Sequence, residues 1–233
     1  MPRISEAGKR REGRGKGHGA DYKPWIKVRE FNSTGTTANV VDWKHGRTTQ
    51  LLSQGEEWYY YALRWDDNVT DIREQFPLFE PEDTVRIADG FGFKHPKDRS
   101  TTMTTDMLVD YADGYQEAIS IKNSRADVNY KLARTEHDKR QAMRTAEKLL
   151  IEKKYWAEKG IKWKLLYKED LDPLYVNNIK RVVIYYRKEK VHDDISRIKH
   201  LIATKQIVVD LFKPIDYRKL VTEHLRLEEK WKN

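Results

Sequence analysis

Two runs of β-favouring residues, Met103 to Tyr111 and Tyr115 to Lys122, are separated only by Ala112-Asp113-Gly114. An Asp-Gly pair between such runs is the strongest short-range signal for a hairpin, because the turn needs φ > 0 and glycine adopts it freely. The two runs therefore become neighbouring antiparallel strands, which commits the chain to a sheet. Strand side chains alternate, so Asp106, Leu108 and Asp110 share one face of the first strand, while Ser120 and Lys122 share one face of the second. An acid and a lysine from adjacent strands are thereby brought to one place.

The flanking segments supply layers for that sheet. Ser53 followed by Glu56 marks a helix start in which Glu56 bonds back to the Ser53 amide. The same carboxylate, projecting from the first turn toward the sheet, is a candidate metal ligand. Apolar and aromatic residues as far as Trp65 give this helix a buried face. Val69 to Phe76 reads as a strand ended by Pro77, and Pro81 opens a short helical piece through Ile87, closed by Asp89-Gly90. His95-Pro96 leads into a polar loop, with a structural hydrogen bond the expected role for His95. The longest helical pattern runs over 130–159, with Leu132, Ala133, Ala142, Leu149, Leu150, Trp156 and Ala157 as apolar positions and Gly160 as its cap. Ile161 to Tyr167 follows as a strand. Helix, strand, hairpin, helix, strand predicts an α/β fold, a mixed sheet flanked by helices. After Asp170 the pattern changes to short helices, Pro173 to about Arg187, Asp193 to Thr204 and Tyr217 to about Glu229, with a strand-like run from Ile207 to Lys213 before the last. That grouping predicts a helix-turn-helix or winged-helix module of about 60 residues. Three regions result: 1–20, 21–169 and 170–233.

Region 1–20 carries Lys9, Arg10, Arg11, Arg14 and Lys16, interleaved with Gly13, Gly15, Gly17 and Gly19. The composition predicts no core there. It reads as a solubility tail or as a flexible clamp on phosphates, with these five basic residues as candidate DNA contacts. Tyr22 to Val28 has strand character and would anchor the arm, and Asn32-Ser33-Thr34-Gly35 reads as a turn. Over 233 residues, 45 Lys+Arg against 37 Asp+Glu leave +8, a balance that attracts polyanions and makes double-stranded DNA the natural partner. No run approaches the 18 or so apolar residues of a membrane-spanning helix and no signal peptide opens the chain, so the expectation is a soluble, cytoplasmic protein without a membrane partner. Cysteine is absent, which excludes disulfides, thiolate zinc sites and cysteine nucleophiles. The seven histidines are scattered.

A strand carboxylate followed one hairpin later by x-Lys is the skeleton of the metal-dependent nuclease pattern written PD-(D/E)-x-K. Solvated strand faces produce the same pair, and the pattern alone is weak. The chemistry nevertheless suits these residues. Phosphodiester hydrolysis needs a nucleophile made from water, neutralisation of charge on the phosphate oxygens and help for the departing oxygen. Mg²⁺, with Mn²⁺ as a substitute, takes one or two carboxylates and completes its shell with water and phosphate, a role for Glu56 and Asp106. Lys122 adds positive charge beside the attacking water.

Several segments together resemble the TnsA family, the endonuclease subunit of heteromeric transposases. They are Glu12-Gly13-Arg14-Gly15 to His18-Gly19, Asp21-Tyr22 with Pro24-Trp25, Gly46-Arg47, Leu51-Leu52-Ser53, Asp71-Ile72-Arg73-Glu74-Gln75-Phe76-Pro77-Leu78, Lys94-His95-Pro96, Met103-Thr104-Thr105-Asp106 and Tyr155-Trp156. The resemblance implies a restriction-endonuclease-like domain followed by a winged-helix domain, and magnesium-dependent hydrolysis of the 5′ strands at transposon ends. It also implies a TnsB-type transposase and a TnsC-type ATPase regulator as partners, and association with the nucleoid when active. The family's catalytic acid, acid and lysine fall on Glu56, Asp106 and Lys122. Two residues before the lysine, where this family usually has glutamine, stands Ser120. A hydroxyl is a poor metal ligand that would act through water, leaving more of the coordination to the Ile121 carbonyl. Glu152 matches a further family acid on the long helix, with an exposed surface acid as the other reading. A stand-alone nuclease of the same fold, and a non-catalytic DNA-binding or partner-docking module, are the alternative functions.

Overall fold

The computed structural model describes residues 4–30, 37–96 and 99–225. The turn expected at Asn32–Gly35 and the last residues before Glu229 lie outside them. Contacts divide the chain into two units, residues 1–170 and 171–233.

In the first unit the hairpin forms as β4 (Thr104–Tyr111) and β5 (Gln116–Lys122), following β3 (Val69–Pro77) and preceding β6 (Lys162–Tyr167) in a sheet of that order. Gly114 takes φ 84° in the connecting turn. The first two pairings are antiparallel, with Leu108 opposite Ala118, and β5 pairs β6 in parallel. A parallel partner needs a crossover helix, supplied by Glu136–Glu158. A separate pair of strands, β1 (Ala38–Val41) and β2 (Thr48–Leu51), precedes the helix Gln54–Trp65. In chain order the helices of this unit are α1 (Glu6–Arg11), α2 (Gln54–Trp65), α3 (Pro81–Gly90) and α4 (Glu136–Glu158).

Alternation along the strands puts helices on both faces of the sheet. Ile87 and Ala88 of α3 and Ile151, Tyr155 and Trp156 of α4 bury Leu108 and Ala118 on one face. On the other, α2 approaches so closely that a Cβ on Gly55 would stand 3.0 Å from Ile121 Cγ2. Glycine at that position lets the start of α2 settle against β5, beside the future site.

Several expectations are corrected. The long helix begins at Glu136 rather than residue 130, because Thr135 accepts from the Asp138 amide as its N-cap. Upstream, Tyr130–Leu132 is a separate 3₁₀ turn, and Leu132 is exposed. Tyr22 to Val28 is not a strand: Pro24 has no N–H, and the segment is fastened instead through the Trp25 amide on the Gln75 carbonyl and the Tyr22 hydroxyl on the Glu74 carbonyl. Nor is region 1–20 coreless. Arg14 is only 1% exposed and donates to Trp25 O and both Glu30 oxygens, while Lys9 and Arg10 lie over the ring of fully buried Trp25. Arg11 and Lys16 remain exposed.

In the second unit, α5 (Pro173–Val183), α6 (Asp194–Ala203) and α7 (Tyr217–Leu220), with a π-turn over Val221–Leu225, enclose Val176, Ile179, Val182, Ile198 and Ile202. Among the described residues this unit has no strand. The run Ile207–Lys213 stays irregular because Asn178, buried on α5, donates to the Leu211 and Lys213 carbonyls at 2.9 Å each, and Val208 is 89% exposed with nothing to pair against. The wing expected of a winged helix is therefore not formed by that run. Among the described residues no helix is long and apolar enough to cross a membrane.

Candidate active site

Three elements converge at one end of the four-stranded sheet. Glu56 comes from the first turn of α2, where Ser53 Oγ accepts from its amide at 3.1 Å and donates to Oε1 at 3.0 Å. Its Oε2 accepts from the Leu52 amide at 2.8 Å and from Gln75 Nε2 at 2.9 Å. The expected return bond to the Ser53 amide is not the one made. Drawn inward to Gln75, the carboxylate meets the amide one residue earlier.

Asp106 and Lys122 come from the hairpin. Asp106 Oδ2 accepts from the Ile121 amide at 2.6 Å and lies 3.9 Å from Lys122 Nζ, which donates to the Ile121 carbonyl at 3.0 Å. The carbonyl considered as a metal ligand is thus already engaged by the lysine.

Glu152 is the larger correction. It lies on α4 but is 5% exposed, so it is not a surface acid. Its Oε1 accepts from the hydroxyls of Thr105 and Ser120, the latter at 2.6 Å, and from Trp163 Nε1 at 3.2 Å. All of these bonds fall on one oxygen, and Oε2 has no protein partner among the described residues. Ser120 thus supports Glu152 directly through its hydroxyl.

The electrostatics follow from crowding. Burial, then the Asp106 charge, pushes the Glu56 carboxyl up to about 8, against the lowering effect of its hydrogen bonds and of Lys122. Burial and Asp106 likewise push Glu152 up to about 7. Burial alone would depress Lys122, yet the surrounding Asp106, Glu152 and Glu56 hold its pKa above the ordinary lysine value. Without metal the crowding favours the protonated forms of Glu56 and Glu152. Hard oxygen donors held this close, from two helices and a strand, suit an oxygen-seeking divalent cation, which would favour their ionised forms.

Asp106, Ser120, Lys122 and Glu152 line a groove of about 830 Å³ whose far wall includes Arg134, Gln141 and Lys148. Glu56 is not among the residues that line it, but it is close enough to Asp106 and Lys122 to feel their charges. Arg134, just before α4, and Gln141 and Lys148 within it put basic and amide groups along the groove.

The Asp71–Leu78 run explains itself in these contacts. Arg73 donates to Asp110 at 2.7 Å, and Glu74, fully buried, receives both terminal nitrogens of Arg47 at 2.6 and 2.8 Å. Ile72 and Leu78 are core, and Gln75 holds Glu56. Gln75 does so from φ 50°, a conformation uncommon for a residue other than glycine. Nothing in the sequence marks Gln75 for this role, because alternation along a regular strand gives no sign of the kink that aims it. Thr105 and Trp163 were likewise missed. Their signal was a polar residue and an indole on strand positions that face the helix.

A mixed sheet with helices on both faces and with acids and a lysine gathered at one end is the architecture of an endonuclease. The family model for the TnsA-like endonuclease N terminus matches residues 66–168, a span that holds Asp106, Lys122 and Glu152 but begins after Glu56. The Tn7 transposition protein TnsA of Escherichia coli is 36% identical over 215 residues, covering 88% of this chain and 74% of that relative. The chain belongs to the TnsA family.

Proposed function

We propose that this chain is a metal-dependent DNA endonuclease subunit that hydrolyses the 5′ strands at transposon ends during cut-and-paste transposition. The observation that supports this reading is that Asp106 and Lys122 stand 3.9 Å apart in the lining of one groove, with Glu56 close enough for both to act on its charge. Glu56 and Asp106 would hold Mg²⁺, with Glu152, which lines the groove, as a third oxygen donor. A bound divalent cation would neutralise charge on the scissile phosphate and lower the pKa of water.

The chain's own residues supply the rest. Lys122 remains charged beside Asp106 and stabilises negative charge building on the attacked phosphate. The Ile121 amide fixes Asp106, while Gln75 and the Leu52 amide fix Glu56, so the acids are held before substrate arrives. Thr105, Ser120 and Trp163 do the same for Glu152. Arg134 and Lys148, with exposed Arg11 and Lys16, favour the DNA backbone without reading sequence.

Charge-driven binding of this kind is tolerant of sequence, whereas excision demands cutting at two defined ends. A TnsB-type transposase would supply end recognition, and the C-terminal helical unit, kept here as a helix-turn-helix-type module, would dock a TnsC-type ATPase. The action would then be cytoplasmic, at the nucleoid. The test is incubation of the purified chain with Mg²⁺ and transposon-end DNA, with and without its transposase partner. Cutting only in the presence of the partner is expected. Robust site-specific cleavage by the chain alone would replace this reading with a stand-alone nuclease.

A further inference from the structure

Away from the groove, Asp71 of β3 and Asp110 of β4 are Cα partners directly across the antiparallel pair. Like charges in that relation repel and destabilise a sheet unless something positive lies between them. Arg73 and Gln116 donate to Asp110 Oδ1 at 2.7 and 2.6 Å, leaving Oδ2 turned to the pair. Two further loops converge there. His18, in the loop after α1, places Nδ1 3.7 Å from Asp71 Oδ2 and 3.6 Å from Asp110 Oδ2. His45, in the turn between β1 and β2, places Nδ1 3.7 Å from Asp71 Oδ1.

These separations are too long for hydrogen bonds. They are close to the spacing of about 3.3 Å between neighbouring ligands in a tetrahedral site with bonds of about 2.05 Å. The buried polar atoms point the same way. Asp71, with a side chain 9% exposed, has its Oδ1 buried without a hydrogen-bond partner, and so has the Nδ1 of His45 facing it. A buried carboxylate oxygen left in this state is costly unless it has a cationic partner.

The geometry points to a second metal site, in which His18, Asp71 and Asp110, whose ligand atoms all lie within 4.8 Å of one another, bind one divalent transition-metal ion of the Zn²⁺ class, with water completing its shell. An imidazole nitrogen with two carboxylates suits such an ion better than Mg²⁺, which prefers oxygen alone, and His45 stands against Asp71 from outside the cluster. The site is structural in position. Asp110 lies four residues along β4 from Asp106, about 13 Å at strand rise, so this ion does not share the groove. It would pin the loop after α1 onto β3 and β4.

The test is zinc titration of the full chain, stripped with chelator and dialysed, followed by calorimetry and elemental analysis, with Co²⁺ absorption to read coordination. Wild type and Asp106→Asn are each expected to take up one Zn²⁺ at this site with a four-coordinate Co²⁺ spectrum. His18→Ala/His45→Ala is expected to bind more than about 100-fold weaker, beyond the range seen on loss of an outer-shell partner. Should the double variant misfold, His18→Ala alone serves, because that side chain is 70% exposed and is not needed for packing. Unchanged zinc affinity in a folded His18→Ala or double variant overturns the inference. So does zinc uptake abolished by Asp106→Asn, which would assign the ion to the groove, and so does the absence of stoichiometric binding.

Discussion

Ser120 donates its hydroxyl to Glu152 Oε1 at 2.6 Å, tying the strand position two before Lys122 to the long helix α4. Many nucleases of this pattern carry an acid at that strand position. Here a short side chain leaves room for an acid delivered from the helix. Glu152→Gln should therefore fold normally yet cut at least about tenfold more slowly, with a raised Mg²⁺ requirement. Ser120→Glu should place two carboxylates against one another and destabilise the chain by about 1–3 kcal/mol, and adding Glu152→Ala should recover most of that loss. Cleavage assays at varied Mg²⁺ check the first statement, where wild-type cutting by Glu152→Gln contradicts it, and denaturant unfolding checks the second, where a stable Ser120→Glu single variant contradicts it.

Gln75 separates aim from strain. Its amide holds Glu56, and its backbone sits at φ 50°, which costs a non-glycine residue about 1 kcal/mol. Gln75→Ala loses the bond and keeps the strain, whereas Gln75→Gly loses both. Both variants should cut poorly, with the glycine variant the more stable of the two by about 1 kcal/mol. Equal cleavage by Gln75→Ala and wild type would remove Gln75 from the positioning of Glu56.

Glu56 makes the metal-free chain sensitive to alkali. Its folded value near 8 lies above the ordinary 4.5, so between those limits the native state holds a proton that the unfolded state has released. Stability from this group is complete below about 4.5 and is lost as pH rises through 8, at a limiting rate of about 1.4 kcal/mol per pH unit. Glu56→Gln does not titrate. In chelator its unfolding free energy should gain on wild type from pH 5 to pH 8, by an amount on the order of a few kcal/mol. Saturating Mg²⁺ should reduce that gain, because bound metal favours the ionised carboxylate. A pH-independent difference between the two proteins contradicts the account.

Arg14 should behave as a core residue. Its guanidinium is buried between Glu30, Glu12 and the Trp25 carbonyl. Removing one partner of a buried pair typically costs about 3–5 kcal/mol. Arg14→Ala should lower the melting temperature strongly, whereas Arg11→Ala and Lys16→Ala should leave it unchanged and flatten the salt dependence of DNA binding. A stable Arg14→Ala with weakened DNA binding would restore the phosphate-clamp reading.

What was legible in the sequence was local. Asp113-Gly114 announced the hairpin, Ser53 announced the start of α2, and the spacing within the hairpin put Asp106 beside Lys122. What was not legible depends on contacts distant along the chain. Charged, glycine-rich residues 4–20 look coreless until Glu30 and Trp25 arrive to bury Arg14. Glu152 looks like one more charge on a polar helix until Thr105, Ser120 and Trp163 surround it. Ile207 to Lys213 has strand composition, yet Asn178 takes its carbonyls. The same limit hid His18, which reaches Asp71 and Asp110 from a loop distant along the chain, and His45, which reaches Asp71 from another.

The central claim is that the strand acid of the hairpin drives cutting of one strand at each end. Its most direct measurement uses end-labelled transposon DNA in the assembled complex with the transposase partner and Mg²⁺, comparing wild type with Asp106→Asn. The expected result is loss of the 5′-strand cuts by at least about 1000-fold, or about 4 kcal/mol of barrier, with DNA association and the partner's 3′-strand cuts retained. Persistence of the 5′-strand cuts in Asp106→Asn contradicts the assignment of this site.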